Sequence, residues 1–83
     1  MKKSRYSREQ LVLQNLLRQV RLTAGLKQDE VATRLETYQT FVSKYEAGER
    51  ILDLPELRQV CGALGVGFVD FVKRYEEALK AEE

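Results

Sequence analysis

Three glycines interrupt the helical pattern of apolar residues in this chain, and their positions are the sequence feature that most constrains its fold. Apolar residues recur at spacings of three and four along most of the sequence, which is the period of an amphipathic helix. Gly25, Gly48 and Gly65 interrupt that pattern, and glycine readily adopts the left-handed conformation that ends many helices. No repeat or linker separates the segments. The 83 residues therefore predict one all-α domain of about five short helices.

Capping signals place the ends of these helices. The stretch "SREQ" at Ser7 is a Ser-x-x-Gln capping box, and "DLPE" at Asp53 combines an acidic cap, a proline in the first turn and a glutamate that reaches back. In the first helix, the predicted inward stripe includes Leu17, Val20 and Ala24. The predicted helices run from Ser7 to Gly25, near 28–35, over 39–47, from Asp53 to Gly65, and from about Phe68 to the acidic end. Residues 1–6 would form a flexible basic arm, and residues 7–83 a single domain.

Composition excludes several functional classes. The chain has no histidine and Cys61 is its single cysteine, so an internal disulfide is excluded and a structural zinc site is not expected. No apolar run approaches the roughly 20 residues that span a bilayer, and no signal peptide is recognisable. The glycines of "CGALGVG" follow no strand pattern and so do not indicate a nucleotide-binding loop. We expect a cytoplasmic protein that is not an enzyme and needs no metal or cofactor.

Charge is distributed unevenly along the chain. Residues 1–50 contain ten Lys and Arg against six Asp and Glu, giving +4, whereas residues 51–83 contain four against seven, giving −3. A polyanion would therefore be attracted to the first half. The alternative is a solvated surface without a partner, which explains most imbalances of this size.

The stretch "QTFVSKYEAGER", residues 39–50, carries side chains that suit the edges of DNA bases. Gln can bond adenine bidentately, Lys can bond guanine, Thr and Ser can bond either base edge, and an apolar group can contact the thymine methyl. On a helix over 39–47, Val42 and Tyr45 would face inward and the polar residues outward. This segment therefore predicts a short helix with a polar outer face.

A wider pattern surrounds this segment. Across residues 13–72, "LRQVRLTAGLKQDEVATRL", "FVSKYEAGER" and "LPELRQVCGALGV" resemble the Cro/C1-type (XRE family) helix-turn-helix regulators, which have a five-helix, lambda-repressor-like fold. The residues that carry the resemblance are Arg21, Gly25, Leu26, Gln28, Ala32, Val42, Ser43, Glu46, Gly48, Arg50, Leu57, Ala63 and Leu64. The resemblance implies a transcription regulator that binds double-stranded DNA, with the helix at 39–47 in the major groove and the helix before it crossing the backbone.

The resemblance assigns roles to residues around this helix. The base-reading residues would be Gln39, Thr40, Phe41, Ser43 and Lys44. For Phe41 the alternative is packing in the core, and for Ser43 it is an ordinary surface position. The phosphate contacts would come from Lys27, Gln28, Tyr38 and Arg50, although Arg50 could instead reach the minor groove. The basic arm with Lys2, Lys3 and Arg5 could follow the DNA backbone or serve only as a solubilising tail.

Three further features concern how the reading helix is held. Arg21 and Glu46 match the family pattern on inward stripes, so we expect a structural ion pair between them, the alternative being two separate surface charges. Glu36 occupies the turn where the family usually has glycine, and a non-glycine residue at positive φ costs about 1 kcal/mol. Lys27 and Tyr38 replace the usual Ser or Thr caps, and Asp29 and Thr37 are the expected substitutes.

The last helix carries more apolar surface than a core of this size needs. Its stripe predicts a two-fold homodimer through Phe68, Phe71, Val72, Tyr75 and Leu79, the alternative being closure of the monomer. The predicted function is a small homodimeric transcription regulator, specifically a repressor, that binds a pseudo-palindromic operator without a small-molecule ligand. The alternative is a protein-interaction module, such as an antitoxin that binds a toxin or an accessory subunit. The polar, cation-bearing face over 39–50 favours DNA.

Overall fold

The computed structural model describes residues 7–81, and helices make up most of this range. The five helices are α1 (Arg8–Thr23), α2 (Gln28–Arg34), α3 (Gln39–Glu46), α4 (Leu54–Leu64) and α5 (Phe68–Ala81). No strand occurs between residues 7 and 81. The predicted all-α class is confirmed, as are the five segments. The basic arm, including Lys2, Lys3 and Arg5, lies outside the described residues.

The starts of the helices follow the capping signals. Ser7 Oγ accepts the N–H of Gln10 at 3.2 Å, and at α4 Asp53 Oδ1 accepts the N–H of Glu56 at 2.8 Å while Glu56 Oε1 accepts the N–H of Asp53 at 3.0 Å. At α2, the carboxylate of Glu30 accepts the N–H of Lys27 at 2.9 Å. Glu30, rather than the expected Asp29, therefore supplies the substitute acceptor at this helix.

Four helix ends share one backbone motif. In each, an amide donates to the carbonyl five residues earlier, and the residue just before that amide has positive φ. Glycine takes that position at α1, α3 and α4, whereas at α2 it is Glu36, with φ of 56°. The positive φ expected at Glu36 is confirmed. At Gly48 an added Cβ would overlap Oε1 at the end of the Gln14 side chain, which would have to move.

The core draws side chains from all five helices. Its members are Leu17, Val20, Val31, Ala32, Val42, Tyr45, Val60, Cys61, Ala63, Leu64 and Phe71. Ala24 is exposed, so its predicted inward position is wrong. It is the C-cap residue, where the chain already turns away from the core toward Gly25.

Polar contacts join α5 to the start of α1. Arg8 Nη1 donates to the carbonyl of Leu79 at 3.0 Å, and the Tyr75 hydroxyl donates to the carbonyl of Glu9 at 3.0 Å. Phe71 is fully buried in the monomer core. Its predicted place in a dimer interface is wrong, because a side chain without exposed surface cannot contact a second copy.

Candidate nucleic-acid interface

Helix α3 has two chemically distinct faces. Val42 is fully buried and Tyr45 retains 2% exposure, so both anchor the helix in the core. On the opposite face the side chains of Gln39, Thr40 and Lys44 are exposed. Ser43, the remaining polar residue predicted to read bases, is half-buried at the edge of this face. The predicted polar residues therefore share one accessible surface, which we call the reading face and define as Gln39, Thr40, Ser43 and Lys44.

A buried ion pair connects α3 to α1. Arg21 Nε and Nη2 donate to the two carboxylate oxygens of Glu46 at 2.6 and 2.9 Å, and Arg21 Nη1 donates to the carbonyl of Leu26 at 2.9 Å. Arg21 is 8% exposed and Glu46 9%. The hydrogen bond to Glu46 raises the pKa of Arg21 above its ordinary value. The structure thus contains the predicted pair, with bidentate geometry and an additional backbone acceptor.

Hydrogen bonds continue from this pair to the reading face. Gln28 Nε2 donates to Oε1 of Glu46 at 3.0 Å, and Gln39 Nε2 donates to Oε1 of Gln28 at 2.6 Å. One N–H of the Gln39 amide is thereby committed, which leaves its second N–H and its oxygen for another partner. Gln28, predicted to contact phosphate, directs its side-chain amide to these two residues and keeps one N–H of that amide for another partner. We call this series of four side chains, Arg21, Glu46, Gln28 and Gln39, the glutamine relay.

The side chains of Phe41, in the first turn of α3, and Arg50, in the loop after α3, lie against each other. Phe41 is half-buried, packs on the core and meets the Tyr45 ring edge-on, with the ring centroids 5.6 Å apart. The Arg50 guanidinium lies 5.0 Å from the centroid of the Phe41 ring. Arg50 Nη2 also forms an ion pair with Oε2 of Glu56, the third residue of α4, which completes the capping box with Asp53. Both predicted DNA contacts therefore take part in local packing as well.

The other predicted phosphate contacts stand at the starts of two helices. Lys27 immediately precedes α2 and is exposed. Tyr38 immediately precedes α3, and with 82% of its surface exposed it is the most accessible large hydrophobic residue of the described chain. Its ring therefore contributes little to the core.

Residues 7–81 show no feature that indicates a metal site, a membrane span or a reactive thiol. This range contains no group of three or more His, Cys, Asp or Glu side chains that could hold a metal ion. None of its helices combines the length and apolar character needed to cross a membrane. Cys61 is buried, and burial raises the pKa of its thiol to about 11, which disfavours the reactive thiolate.

Several of these contacts are not predicted by any pattern in the sequence. The Arg50–Glu56 pair joins a loop to the next helix, and no helical spacing links residues six apart. Glu30 is different, because it stands at the third position of α2, where a capping box places Glu or Gln. Its role could have been inferred from spacing once the start of α2 was known.

Comparisons with known proteins agree with this geometry. A protein-family model described as a helix-turn-helix domain matches residues 13–71 of this chain. An XRE-family like protein from Pseudomonas syringae pv. tomato str. DC3000 is 37% identical, with 81% of this chain and 82% of that chain covered and a TM-score of 0.77. The comparison with curated proteins found no match.

Two other solved structures share the fold at lower identity. The restriction-modification controller protein C.Esp1396I, solved as a tetramer with its natural 35 base-pair operator, is 22% identical over 87% of this chain and 95% of that chain, with a TM-score of 0.81. The clp gene regulator ClgR from C. glutamicum is 24% identical over 87% and 92%, with a TM-score of 0.75. The lambda-repressor-like fold and the non-enzymatic class predicted from the sequence are confirmed. This chain belongs to the XRE family of Cro/C1-type helix-turn-helix regulators, which are DNA-binding transcription regulators.

Proposed function

We propose that the protein is a transcriptional repressor that binds a pseudo-palindromic DNA operator as a homodimer in the cytoplasm. The observation that carries this proposal is the glutamine relay. Its hydrogen bonds connect the buried Arg21–Glu46 ion pair to Gln28 and then to Gln39. They therefore hold the Gln39 amide in one orientation on an exposed helix face. A side chain that only solvates a surface needs no such support.

The reading face offers chemistry for several bases. The free N–H and oxygen of Gln39 match the N7 acceptor and N6 donor of adenine, and Lys44 matches the acceptors of guanine. Thr40 and Ser43 can bond either base edge through their hydroxyls. Phe41 stands beside this face, and the exposed edge of its half-buried ring could contact a thymine methyl group. Together these five residues would determine which operator is preferred.

The flanking groups would position the domain on the DNA backbone. Lys27 is exposed at the start of α2, and Tyr38 is exposed at the start of α3. Arg50 would contact phosphate beyond the other end of α3. Gln28 would do so through the N–H of its amide that is not donated to Glu46. Such contacts fix register without reading sequence.

The size of α3 supports a dimer. Its eight residues are about 12 Å long, which covers only about four base pairs. A pair of copies related by a two-fold axis would place two such helices about 34 Å apart in successive major grooves. The controller protein with the same fold was solved as a tetramer on its operator, which is consistent with paired half-sites.

Helix α5 provides the surface for this dimer. Val69 is 67% exposed and Val72 39%, and residues three apart share one helix face. Phe68, Tyr75 and Leu79 are half-buried and border that face. Burial of these side chains against a second copy would remove apolar surface from water, which stabilises association.

The proposal is tested by a binding experiment in two stages. Selection from a pool of random duplexes would identify the preferred operator, and each variant would then be titrated against that duplex and a scrambled one at several salt concentrations. Gln39→Ala or Lys44→Ala should weaken operator binding by about 1–3 kcal/mol with little change on scrambled DNA. Arg50→Ala should weaken both and flatten the slope of log affinity against log salt by about one unit per monomer.

Two outcomes would contradict this function. One is a wild-type protein that enriches no duplex from the pool. The other is a folded variant, with alanine at all four positions of the reading face, that keeps the operator preference. Either result would favour the protein-interaction alternative, such as an antitoxin or accessory subunit, because the face would then not be reading DNA.

A further inference from the structure

Glu56 links the start of α4 to the loop that follows the reading helix. Its Oε1 accepts the N–H of Asp53 at 3.0 Å, and its Oε2 pairs with Nη2 of Arg50. The backbone hydrogen bond from Asp53, aided by Arg50, lowers the pKa of Glu56, so the carboxylate is charged at neutral pH. One side chain thus caps a helix and holds a cation of the proposed interface.

Arg50 is held from two directions. The Glu56 carboxylate pairs with Nη2 of the guanidinium, and the guanidinium carbon lies over the Phe41 ring, 5.0 Å from its centroid. The Arg50 side chain is nevertheless 44% exposed. A guanidinium has five N–H donors in a rigid plane, so donors remain for a phosphate after one has met Glu56.

We propose that Glu56 is a positioning residue for DNA binding, which holds the Arg50 guanidinium against Phe41 so that it meets the DNA backbone in a fixed orientation. This inference rests on the proposed function. The benefit is preorganisation: a long, flexible side chain loses less freedom on binding when it is already held. Because Glu56 is itself fixed by the helix cap, the orientation of Arg50 becomes part of the fold.

Charge alone predicts the opposite effect for this residue. A carboxylate close to DNA repels the phosphates, so its removal should tighten binding to any duplex. Positioning predicts that its removal weakens operator binding even though a repulsive charge has gone. The sign of the change therefore separates the two accounts.

The test compares Glu56→Gln with two variants that remove the same charge nearby. Glutamine keeps an oxygen for the Asp53 N–H but loses the ion pair with Arg50. Glu49→Gln removes a charge from the neighbour of Arg50, and within residues 7–81 Glu49 forms no ion pair. Asp53→Asn removes a charge from the same cap, and Asn is an equally good cap residue. Each would be titrated against the duplex most enriched from the random pool and against its scrambled form.

We expect Glu56→Gln to bind the enriched duplex about two- to fivefold more weakly, the range of an exposed ion pair. Its salt slope should flatten toward that of Arg50→Ala. Both control variants should bind as tightly as the wild type or more tightly. In an Arg50→Ala background, Glu56→Gln should produce no further loss, because the residue it positions is absent. Denaturation midpoints would show that each variant remains folded during the titration.

Three results would overturn the inference. Glu56→Gln could bind the enriched duplex as tightly as the wild type, its loss could persist unchanged in the Arg50→Ala background, or its affinity could fall with no change in salt slope. Any of these would mean that Glu56 acts only as a cap of α4. Failure of the wild type to enrich any duplex would remove the proposed function itself, and that failure is visible before any variant is made.

Discussion

Glu36 is the one residue in the described chain that occupies a left-handed conformation without being glycine. Its φ of 56° allows the backbone to turn between α2 and α3, and the side chain is exposed. Replacing Glu36 by glycine should raise the free energy of unfolding by about 1 kcal/mol, because glycine adopts this conformation without steric strain. Urea denaturation of both proteins would measure the difference.

The matched control is Glu36→Ala. Alanine removes the same charge but keeps a Cβ, so it should give little of the gain. If alanine stabilised the protein as much as glycine, the effect would come from charge rather than from backbone strain. Positive φ at this residue was predictable because Glu36 occupies a turn position where the family usually has glycine.

Other residue-level features were not predictable. The direction of the Gln28 amide toward Glu46 and Gln39 depends on how α2 packs against α3, which no spacing in the chain records. Phe41 is similar, because its half-buried place results from Tyr45 on one side and Arg50 on another. Sequence supplied the residue types of this site, and tertiary packing supplied their partners.

At the scale of elements, α3 depends on α1 for its placement. Removing the Glu46 carboxylate with Glu46→Ala would leave the Arg21 guanidinium buried without its main partner. We expect a loss of about 3–5 kcal/mol in the free energy of unfolding, measured by urea denaturation. This is a large share of the stability of a chain this small.

A double variant separates the charge from the packing. Arg21→Met with Glu46→Leu replaces both charged groups by apolar ones and should recover most of the lost stability, because no unpaired charge remains buried. Its operator affinity should stay low, since Gln28 has lost its anchor. If the single variant were as stable as the wild type, the pair would contribute nothing to the fold.

The boundaries of the elements were the most predictable part of the structure. The helices with a capping sequence, α1 and α4, begin at the predicted residues. The helices followed by a glycine, α1, α3 and α4, end within two residues of that glycine. These signals are local and act within one turn of helix. The burial of Phe71 was misassigned because an apolar stripe shows only that a face is covered, not whether the same chain or a second copy covers it.

At the scale of the whole molecule, we expect a dimer at tens of micromolar protein. Val69→Lys should shift the sedimentation coefficient toward that of a monomer, because a charge would enter an apolar contact. Asp70→Asn changes the net charge by the same amount at a neighbouring exposed position and should leave the dimer intact. A wild-type monomer at this concentration, both free and with DNA, would refute the two-fold arrangement.

Alkaline pH should destabilise the whole fold. Burial raises the pKa of Cys61 from 9.0 to about 11, and burial also raises the pKa of Tyr45. The folded state therefore retains protons that the unfolded chain releases, so stability is complete below pH 9 and declines as the pH rises. For Cys61 the loss would reach about 2 kcal/mol near pH 11.

The variant Cys61→Ala checks this assignment. It should start from a lower stability at neutral pH, because buried volume is lost, but its stability should change less between about pH 9 and 10. Thermal melting across this range would give both curves. Equal slopes for the two proteins would show that Cys61 does not contribute to the alkaline transition.

The separation of the two faces of α3 has an evolutionary consequence. Val42, Tyr45 and Glu46 hold the helix, whereas Thr40 and Lys44 project from it without supporting the core. Substitutions at the projecting positions are therefore nearly neutral for folding. A duplicated copy of the gene could drift through many combinations there while the encoded domain still folded. New operators could be acquired by exchanging a few exposed side chains, and the ancestral scaffold would need no compensating change.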